Sequence, residues 1–281
     1  MFSTGHVIWI TVSFVLIGVA LFITMRNKPS LDKVINVCFV LGLVSEVIKI
    51  YSVMDIVPLV NQEIVNNGGV YEIAYVPTGE YTPMMGMEHL PLELCSLQIV
   101  FMLACFIVRQ ERVKRMIHAL MYPTGIIGGL LGVVMATMTS YVKDQSEYLT
   151  SPRVWQYFLY HSMIIFLSIY IGYCKESRLR FSDWKSAVFT IIVLDIPSFY
   201  LNSVFSSRMY HDDQLVGVTH RINFLSSYVN PLGLVLTEKW QWLLYLLIRL
   251  VLAWILIMLL FLPFLRRKEN KPQTEPAIKT E

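Results

Sequence analysis

Two side chains with the chemistry of covalent catalysis lie inside stretches of the chain that are otherwise apolar. They are Cys95 and His161. A thiolate is a strong nucleophile, and an imidazole is a common base for generating it. Taken alone, a cysteine in an apolar helix is most often a small packing residue, and a histidine there is most often a satisfied hydrogen-bonding group. Catalysis therefore requires the two residues to meet in the folded chain.

Four charged residues also lie deep within apolar stretches, where each costs about 2.5–3.5 kcal/mol if the stretch spans a membrane. Glu46 and Lys49 are three residues apart, so they share a helix face and can pair. Arg249 needs an acidic partner, and either Asp195 or Glu46 would serve. These residues are candidates for binding a polar ligand. Equally, they can be neutralising pairs that hold the helices together.

Three further polar residues fall on the same helix faces or beside them. Tyr157 precedes His161 by one helical turn, Asn202 follows Asp195 by seven residues, and His89 lies six residues before Cys95. The complete set of candidate site residues is Cys95, His161, Asn202, Lys49, Arg249, Glu46, His89, Tyr157 and Asp195.

The composition shows which kind of structure must position these residues. Of 281 residues, 55% are hydrophobic and only 15% are charged, whereas soluble domains are about 25% charged. The mean hydropathy is +0.56. This composition predicts a polytopic membrane protein and excludes a disordered chain or a disulfide-rich secreted scaffold. A net charge of +3 is too small for phosphate neutralisation to dominate binding, so we expect no nucleic-acid partner.

Seven apolar stretches approach the roughly 20 residues that a helix needs to cross a bilayer. The first stretch has no basic leader or cleavage site, so we interpret it as an uncleaved span. We predict an all-α bundle in a single domain, residues 1–265, followed by a disordered cytoplasmic tail, residues 266–281. The predicted spans are residues 7–25, 34–57, 88–108, 116–139, 154–174, 184–205 and 240–264.

The distribution of Lys and Arg predicts the orientation of the bundle. Of the 23 Lys and Arg residues, sixteen fall in the first, third and fifth connections and the tail. Five fall in the other connections, and Lys49 and Arg249 lie inside spans. Basic residues concentrate on the cytoplasmic side, so the N-terminus should be outside and the C-terminus inside. This orientation places Cys95 and His161 about 10 Å below the outer boundary at ~1.5 Å per residue. The four charged residues fall at about 12–17 Å on the same scale, which predicts one polar cavity open towards the outside.

Two long connections face outwards in this topology. Residues 58–87 contain the turn signal Asn66-Asn67-Gly68-Gly69, after which residues 70–75 are predicted to form a short strand. Residues 206–239 contain His211-Asp212-Asp213, a composition that a solvated loop offers by chance, so we expect no metal there. The four cysteines show neither a disulfide framework nor a zinc spacing. We expect no cofactor.

The run from His89 to Cys95, which contains Leu-Pro-Leu-Glu-Leu-Cys, resembles a Leu-Pro-x-x-x-Cys signature of the YwaF family of bacterial integral membrane proteins. Further matches are Tyr122-Pro123 with the glycine-rich residues 125–132, Tyr160-His161, Asn202, and Leu262-Pro263-Phe264. The resemblance covers about residues 5–265. The outer loop, residues 206–239, departs from the pattern because it lacks the expected Asn-Tyr segment.

The YwaF family is similar to a eukaryotic transmembrane acyltransferase that moves acyl chains onto ether lysophospholipids. This resemblance implies that Cys95 is a nucleophile. In a membrane-embedded acyltransferase built on it, His161 would be the base, and Asn202 would orient the imidazole or hold the oxyanion. Tyr157 or Ser96 would also donate to the oxyanion. Lys49 and Arg249 would bind lipid phosphate, with Glu46, His89 and Asp195 also in the binding set. The implied partners are membrane phospholipids, and the implied location is the cell membrane.

Two other functions remain open from the sequence. In a transporter or a lipid- or solute-binding protein, Glu46, Lys49, Asp195 and Arg249 would form a coupling or binding network near the midplane. The chain shows no internal repeat of the kind many transporters have. In a scaffold without a ligand, the same charges would only neutralise one another.

Overall fold

The computed structural model describes residues 3–67, 70–86, 89, 94–136, 147–211, 214–220, 224–226 and 235–266. In these residues the membrane part is all-α, as predicted, and six helical segments are long and apolar enough to cross a membrane. The α-helices are α1 (Thr4–Asn27), α2 (Leu31–Val53), α3 (Leu97–Ile107), α4 (Glu111–Val134), α5 (Glu147–Thr150), α6 (Pro152–Tyr173), α7 (Trp184–Val204) and α8 (Lys239–Phe261).

The third predicted span is much shorter as a helix than the sequence suggests. We predicted a helix from residue 88, but α3 begins at Leu97 and has 11 residues, about 16 Å of helix. Residues 94–96 form a turn before it. The Gln98 N–H donates to the Cys95 carbonyl at 3.2 Å, an i to i+3 bond that tightens this entry. Glu88 and residues 90–93, including Pro91, lie outside the described residues.

Two other predicted boundaries are also wrong. The second helix ends at Val53 instead of residue 57, because a strand begins at Asp55. The fourth begins at Glu111, five residues before the apolar run. The polar residues Glu111, Lys114, Arg115 and His118 follow the spacing of one helix face. The helix therefore starts before the apolar segment, with its first turns polar.

Helices α4 and α6 form the centre of the bundle and pack closely through glycines of α4. A Cβ added at Gly129 would lie 3.3 Å from the His161 carbonyl oxygen, and one at Gly125 would lie 3.1 Å from the Ser168 Cβ. Small residues allow membrane helices to approach this closely. Around this pair, α1 and α2 pack against α6, and α7 packs against α4 and α8.

The N-terminal end of α1 is fixed to its neighbours by polar and aromatic contacts. The fully buried His6 imidazole lies 3.0 Å from the Val133 carbonyl oxygen of α4 through Nε2. The Trp9 ring stacks on Phe158 of α6 at 5.3 Å, and its indole N–H donates to the Tyr148 carbonyl at 2.6 Å. These contacts attach α1 to the N-terminal half of α6, where His161 lies.

Two antiparallel hairpins replace what the sequence suggested were mainly loops. The predicted strand after Gly69 is present and longer: β1 (Asp55–Asn67) pairs with β2 (Val70–Met84) and ends with Asn67 opposite Val70. A second hairpin joins β3 (Ser206–His211) to β4 (Gln214–His220). Both follow a membrane helix on the side predicted to face outwards.

Candidate functional site

Cys95 lies in the turn that leads into α3, directly before the N-cap residue Ser96. It is partly buried, and its thiol is not in a disulfide. The Tyr160 hydroxyl of α6 donates to the Cys95 carbonyl oxygen at 2.8 Å. A Cβ added at Gly128 of α4 would lie 4.0 Å from the Cys95 backbone nitrogen. The backbone around the thiol is therefore held by both α4 and α6.

The imidazole of His161 is buried and oriented by the preceding turn of its own helix. Its Nδ1 lies 2.7 Å from the Tyr157 carbonyl oxygen, and the Tyr157 ring lies 4.1 Å from the imidazole, centroid to centroid. A carbonyl oxygen only accepts hydrogen bonds, so in the neutral imidazole Nδ1 carries the proton and Nε2 has the free lone pair. Among the described residues, Nε2 has no hydrogen-bond partner, so it remains able to accept a proton.

Gly132 makes room for this imidazole. A Cβ added there would lie 2.5 Å from Nε2, far inside van der Waals contact. The Gly132 carbonyl oxygen also accepts a hydrogen bond from the Tyr157 hydroxyl at 3.1 Å. Tyr157 therefore contacts His161 through its carbonyl and its ring, and contacts the facing helix through its hydroxyl.

Cys95 and His161 meet the same face of α4. Cys95 lies against Gly128 and His161 against Gly132. These two glycines are four residues apart on one helix face, about 6 Å along its axis. Tyr160, the neighbour of His161, bonds to the Cys95 backbone. We call Cys95, Tyr157, Tyr160 and His161, with this glycine face, the thiol–imidazole site.

The Glu46–Lys49 pair lies on α2 beside the same half of α6. The Lys49 ammonium is 2.5 Å from the Glu46 carboxylate, and both side chains are largely buried. One residue before Glu46, the Ser45 hydroxyl accepts a hydrogen bond from the Gln156 amide of α6 at 2.7 Å. The predicted pair is therefore present and borders the thiol–imidazole site.

Asp195 and Arg249 form a separate cluster between α7 and α8. The Arg249 Nη2 donates to the Asp195 carboxylate at 2.6 Å, so of the two partners expected for Arg249, Asp195 is the one that it contacts. Arg249 also donates through Nη1 to the Leu225 carbonyl oxygen. Leu225 adopts a left-handed φ of 53°, a conformation that non-glycine residues rarely hold without such contacts.

Asn202 belongs to this second cluster. It is fully buried, and its side-chain amide makes two hydrogen bonds to the backbone of one residue, Phe224. The amide oxygen accepts from the Phe224 N–H at 2.8 Å, and the amide nitrogen donates to the Phe224 carbonyl at 3.1 Å. The imidazole of His161 is thus oriented by Tyr157 and not, as expected, by Asn202. Asn202 instead bonds to the turn after β4. We call Asp195, Asn202, Phe224, Leu225 and Arg249 the turn-holding cluster.

The remaining predicted site residue, His89, precedes the thiol turn and is buried. Its backbone N–H donates to the Gly86 carbonyl at 3.1 Å. The sequence predicted one polar cavity, but the polar side chains form two separate clusters. One lies around α6 and the other between α7 and α8.

Tyr160 and the glycines of α4 are among the residues that carry the family resemblance, but the sequence alone indicates no role for them at the site. A Gly-x-x-x-Gly spacing inside an apolar segment indicates close helix approach, so residues 128–132 carried a readable signal. The contact between Tyr160 and the Cys95 carbonyl had no such signal, because it depends on how α3 and α6 pack.

Two cavities are associated with the described helices. An apolar groove of about 430 Å³ runs between α1, α2 and α6, from Leu159 and Ser162 to Lys33. A polar cavity of about 220 Å³ lies at the opposite end of the bundle from Cys95. Within the described residues, no group of three His, Cys, Asp or Glu side chains is placed to hold a metal ion. His211 of the histidine–aspartate run is described only as strand backbone, and Asp212 and Asp213 lie outside the described residues.

The long apolar helices and the buried polar groups between them define a multi-pass membrane protein. The chain belongs to the TMEM164 family, whose model matches residues 1–261. The match covers nearly the whole chain, as the resemblance did, but it confirms neither the YwaF name nor the similarity to an acyltransferase. No curated protein and no solved structure gives a significant match.

Proposed function

We propose that this membrane protein is a lipid-modifying enzyme, a cysteine-dependent phospholipid acyltransferase. The observation that carries the proposal is the thiol–imidazole site: Cys95 and His161 lie one turn apart on one face of α4, and the Nε2 of His161 is oriented to accept a proton. Covalent catalysis needs a nucleophile and a base within hydrogen-bond reach, with a third group orienting the base. Here the third group is the Tyr157 carbonyl.

The reaction proceeds in two balanced steps. In the first, the Cys95 thiol gives its proton to His161 Nε2, and the sulfur attacks the acyl ester carbonyl. The ester C–O bond breaks, and the departing lysophospholipid oxygen takes the proton from the imidazolium. In the second, the hydroxyl of another lysophospholipid gives its proton to His161 and attacks the thioester. The C–S bond breaks, and the thiolate recovers the proton.

The entrance of α3 provides stabilisation for the negative charge that develops in both steps. The first N–H groups of a helix have no partners within the helix and carry the positive end of its dipole. Cys95 lies one residue before the N-cap Ser96, next to these groups. The Gln98 and Ile99 N–H groups bond to carbonyls of the preceding turn. The Ser96 hydroxyl and the Leu97 N–H are therefore the candidate oxyanion donors.

The surroundings of the site suit a lipid substrate. The apolar groove is lined on α6 by Leu159 and Ser162 and ends at Lys33. This face of α6 packs towards α1 and α2, opposite to the face that carries His161 against α4, so the groove offers a place for an acyl chain along the bundle but does not open onto the imidazole. Lys49, held by Glu46 beside α6, is the candidate contact for a lipid phosphate, while Arg249 already binds Asp195 and Leu225. The substrates would be phospholipids of the surrounding bilayer, which we propose to be the cell membrane.

An acyl-exchange assay on the purified protein in nanodiscs tests the proposal. A phospholipid with a labelled acyl chain and an unlabelled lysophospholipid are supplied, and transfer of label is measured by mass spectrometry. Cys95→Ala and His161→Ala should each reduce exchange at least 100-fold. Cys174→Ala, which removes another partly buried thiol near the end of α6, should leave exchange unchanged. Full exchange by Cys95→Ala would exclude the cysteine mechanism.

The two buried ion pairs favour a second candidate, a transporter, because ionisable groups inside membranes often serve coupling. Glu46–Lys49 lies within α2, and Asp195–Arg249 joins α7 to α8. No ion pair between described residues connects them. Movement of a fluorescent lysophospholipid between the leaflets of proteoliposomes distinguishes the two functions. A transporter would lose this movement in Glu46→Gln and Arg249→Gln and keep it in Cys95→Ala, whereas the acyltransferase would lose exchange in Cys95→Ala.

A further inference from the structure

The polar cavity at the predicted cytoplasmic end of the bundle lies far from the thiol–imidazole site. It has a volume of about 220 Å³ and is enclosed by the start of α2, the first two turns of α4 and the 3-10 turn Lys175–Ser177 after α6. We call it the cytoplasmic cavity. It is large enough for several water molecules or for a small polyatomic ion, since one water occupies about 30 Å³ in the liquid.

One face of α4 supplies its inner wall. Glu111, Lys114, Arg115 and His118 follow the spacing i, i+3, i+4, i+7, so all four project from one side of the helix. Glu111 is in the first turn, and His118 is two turns further into the bundle. The polar stripe therefore continues from the surface to a depth at which His118 is only 4% exposed.

Two groups in this wall are buried without a hydrogen bond. The His118 imidazole lies beside the Ser177 backbone, but neither of its ring nitrogens makes a hydrogen bond of acceptable geometry. The Nε of Arg115 is also buried and unbonded, although it lies 3.5 Å from the Asp183 carboxylate. Buried polar groups in folded proteins are nearly always bonded to protein or water, so such groups need an explanation.

The acidic residues of the cavity already have partners. The Asp32 carboxylate pairs with Lys114 at 3.4 Å, and the Glu111 carboxylate pairs with Arg178 at 3.3 Å. These two acidic side chains are 66% and 62% exposed, which places them at the rim, where water screens their charge. The Glu176 carboxylate accepts the Leu31 N–H that begins α2, at 2.6 Å. At the inner end, Arg115 is ion-paired with Asp183, yet neither its Nε nor the His118 imidazole makes a hydrogen bond of acceptable geometry to a described residue.

We propose that the cytoplasmic cavity binds a phosphate group through Arg115 and His118. A guanidinium Nε–H and an imidazole N–H are directional donors, and several phosphate oxygens can accept from them at once. Lys114 adds a positive charge nearby. The group can be the phosphate monoester of a lipid headgroup at the inner leaflet or a free phosphate ion, since both present the same oxygens. The site is independent of acyl transfer.

Binding is measured on the full-length protein in phosphatidylcholine nanodiscs. In one arm, inorganic phosphate is titrated by calorimetry in chloride buffer. In the other, one tenth of the phosphatidylcholine is replaced by phosphatidic acid, and lipid retained by the purified protein is counted by native mass spectrometry. Saturable binding in the first arm identifies free phosphate, and selective retention in the second identifies a lipid headgroup. Either result supports the site, and the absence of both in the wild-type protein overturns it.

Variants connect the binding to the cavity. Arg115→Gln and His118→Leu should each weaken phosphate or phosphatidic acid binding at least tenfold. Arg112→Gln, an exposed arginine on the same helix that does not line the cavity, should bind like the wild type. His118→Leu removes an unbonded polar group, so the protein should remain folded with an unchanged or higher thermal midpoint. Unchanged binding in both Arg115→Gln and His118→Leu would overturn the proposal.

Discussion

His161 and Gly132 show how one small residue can determine whether a histidine is available for chemistry. The imidazole occupies the space that a side chain at residue 132 would fill. The Tyr157 carbonyl accepts a hydrogen bond from Nδ1 and so fixes the proton there. The Tyr157 hydroxyl donates a hydrogen bond to the Gly132 carbonyl. Position and tautomer therefore depend on the same helix contact.

Gly132→Ala should displace the imidazole without removing any catalytic atom. A Cβ at residue 132 would lie 2.5 Å from Nε2, so His161 must rotate away, and acyl exchange should fall at least tenfold while expression in the membrane persists. The matched control is Gly18→Ala on the lipid-facing side of α1, where an added Cβ meets nothing within 4 Å. Equal exchange in both variants would show that the position of the imidazole is unimportant.

Residue types and predicted depth were enough to single out Cys95 and His161, because reactive side chains are rare in apolar helices. In the structure both residues pack against one face of α4. This position is compatible with the predicted roles but does not test them. The sequence gives Asn202 the expected role of orienting the imidazole or holding the oxyanion. The structure gives the orienting contact to the Tyr157 carbonyl. Side-chain type alone does not reveal a bond to a main-chain carbonyl one turn away.

At the scale of elements, the length of the apolar stretches predicted every long helix, but several helix boundaries differ from the prediction. The run from residue 88 looked like one span, yet among its described residues the α-helix begins at Leu97, after a turn at residues 94–96. Hydropathy measures where a chain is apolar, whereas a helix start depends on which N–H groups find partners. The same difference explains α4, whose polar first turns extend the helix beyond its apolar part.

The turn-holding cluster makes a prediction at this scale. Asn202→Ala removes both hydrogen bonds to Phe224, at a cost on the order of 1–3 kcal/mol for a buried polar contact. The thermal midpoint of the purified protein, measured by tryptophan fluorescence, should therefore fall by several degrees. Ser203→Ala, which changes an exposed neighbour on the same helix, is the control and should leave the midpoint unchanged. A midpoint in Asn202→Ala equal to that of the control would contradict a structural role for this amide.

At the scale of the whole molecule, composition alone identified a membrane protein, and the family match over residues 1–261 agrees with it. The hairpins were harder to foresee, because strand pairing outside the bilayer depends on register between distant residues. The tail beyond residue 266, predicted to be disordered, lies outside the described residues. Which side of the membrane each connection faces remains a prediction from the distribution of Lys and Arg.

Cysteine labelling in intact cells tests the orientation. All four native cysteines are replaced by alanine, and a single cysteine is introduced as Thr237→Cys or Lys175→Cys, both at exposed positions. A membrane-impermeant maleimide should label Thr237→Cys in intact cells and Lys175→Cys only after lysis. The reverse pattern would show that the N-terminus is inside, and it would place the thiol–imidazole site in the inner half of the bilayer.

Direct detection of an acyl group on Cys95 is the measurement that tests the central claim most directly. The purified wild-type protein is incubated with a phospholipid carrying a labelled acyl chain, without a lysophospholipid acceptor, and is digested for mass spectrometry. The account predicts a hydroxylamine-sensitive thioester on the peptide that contains Cys95, absent in Cys95→Ala and discharged when lysophospholipid is added. Acyl exchange that proceeds with no acyl group on Cys95, or with the thioester on another cysteine, would contradict it.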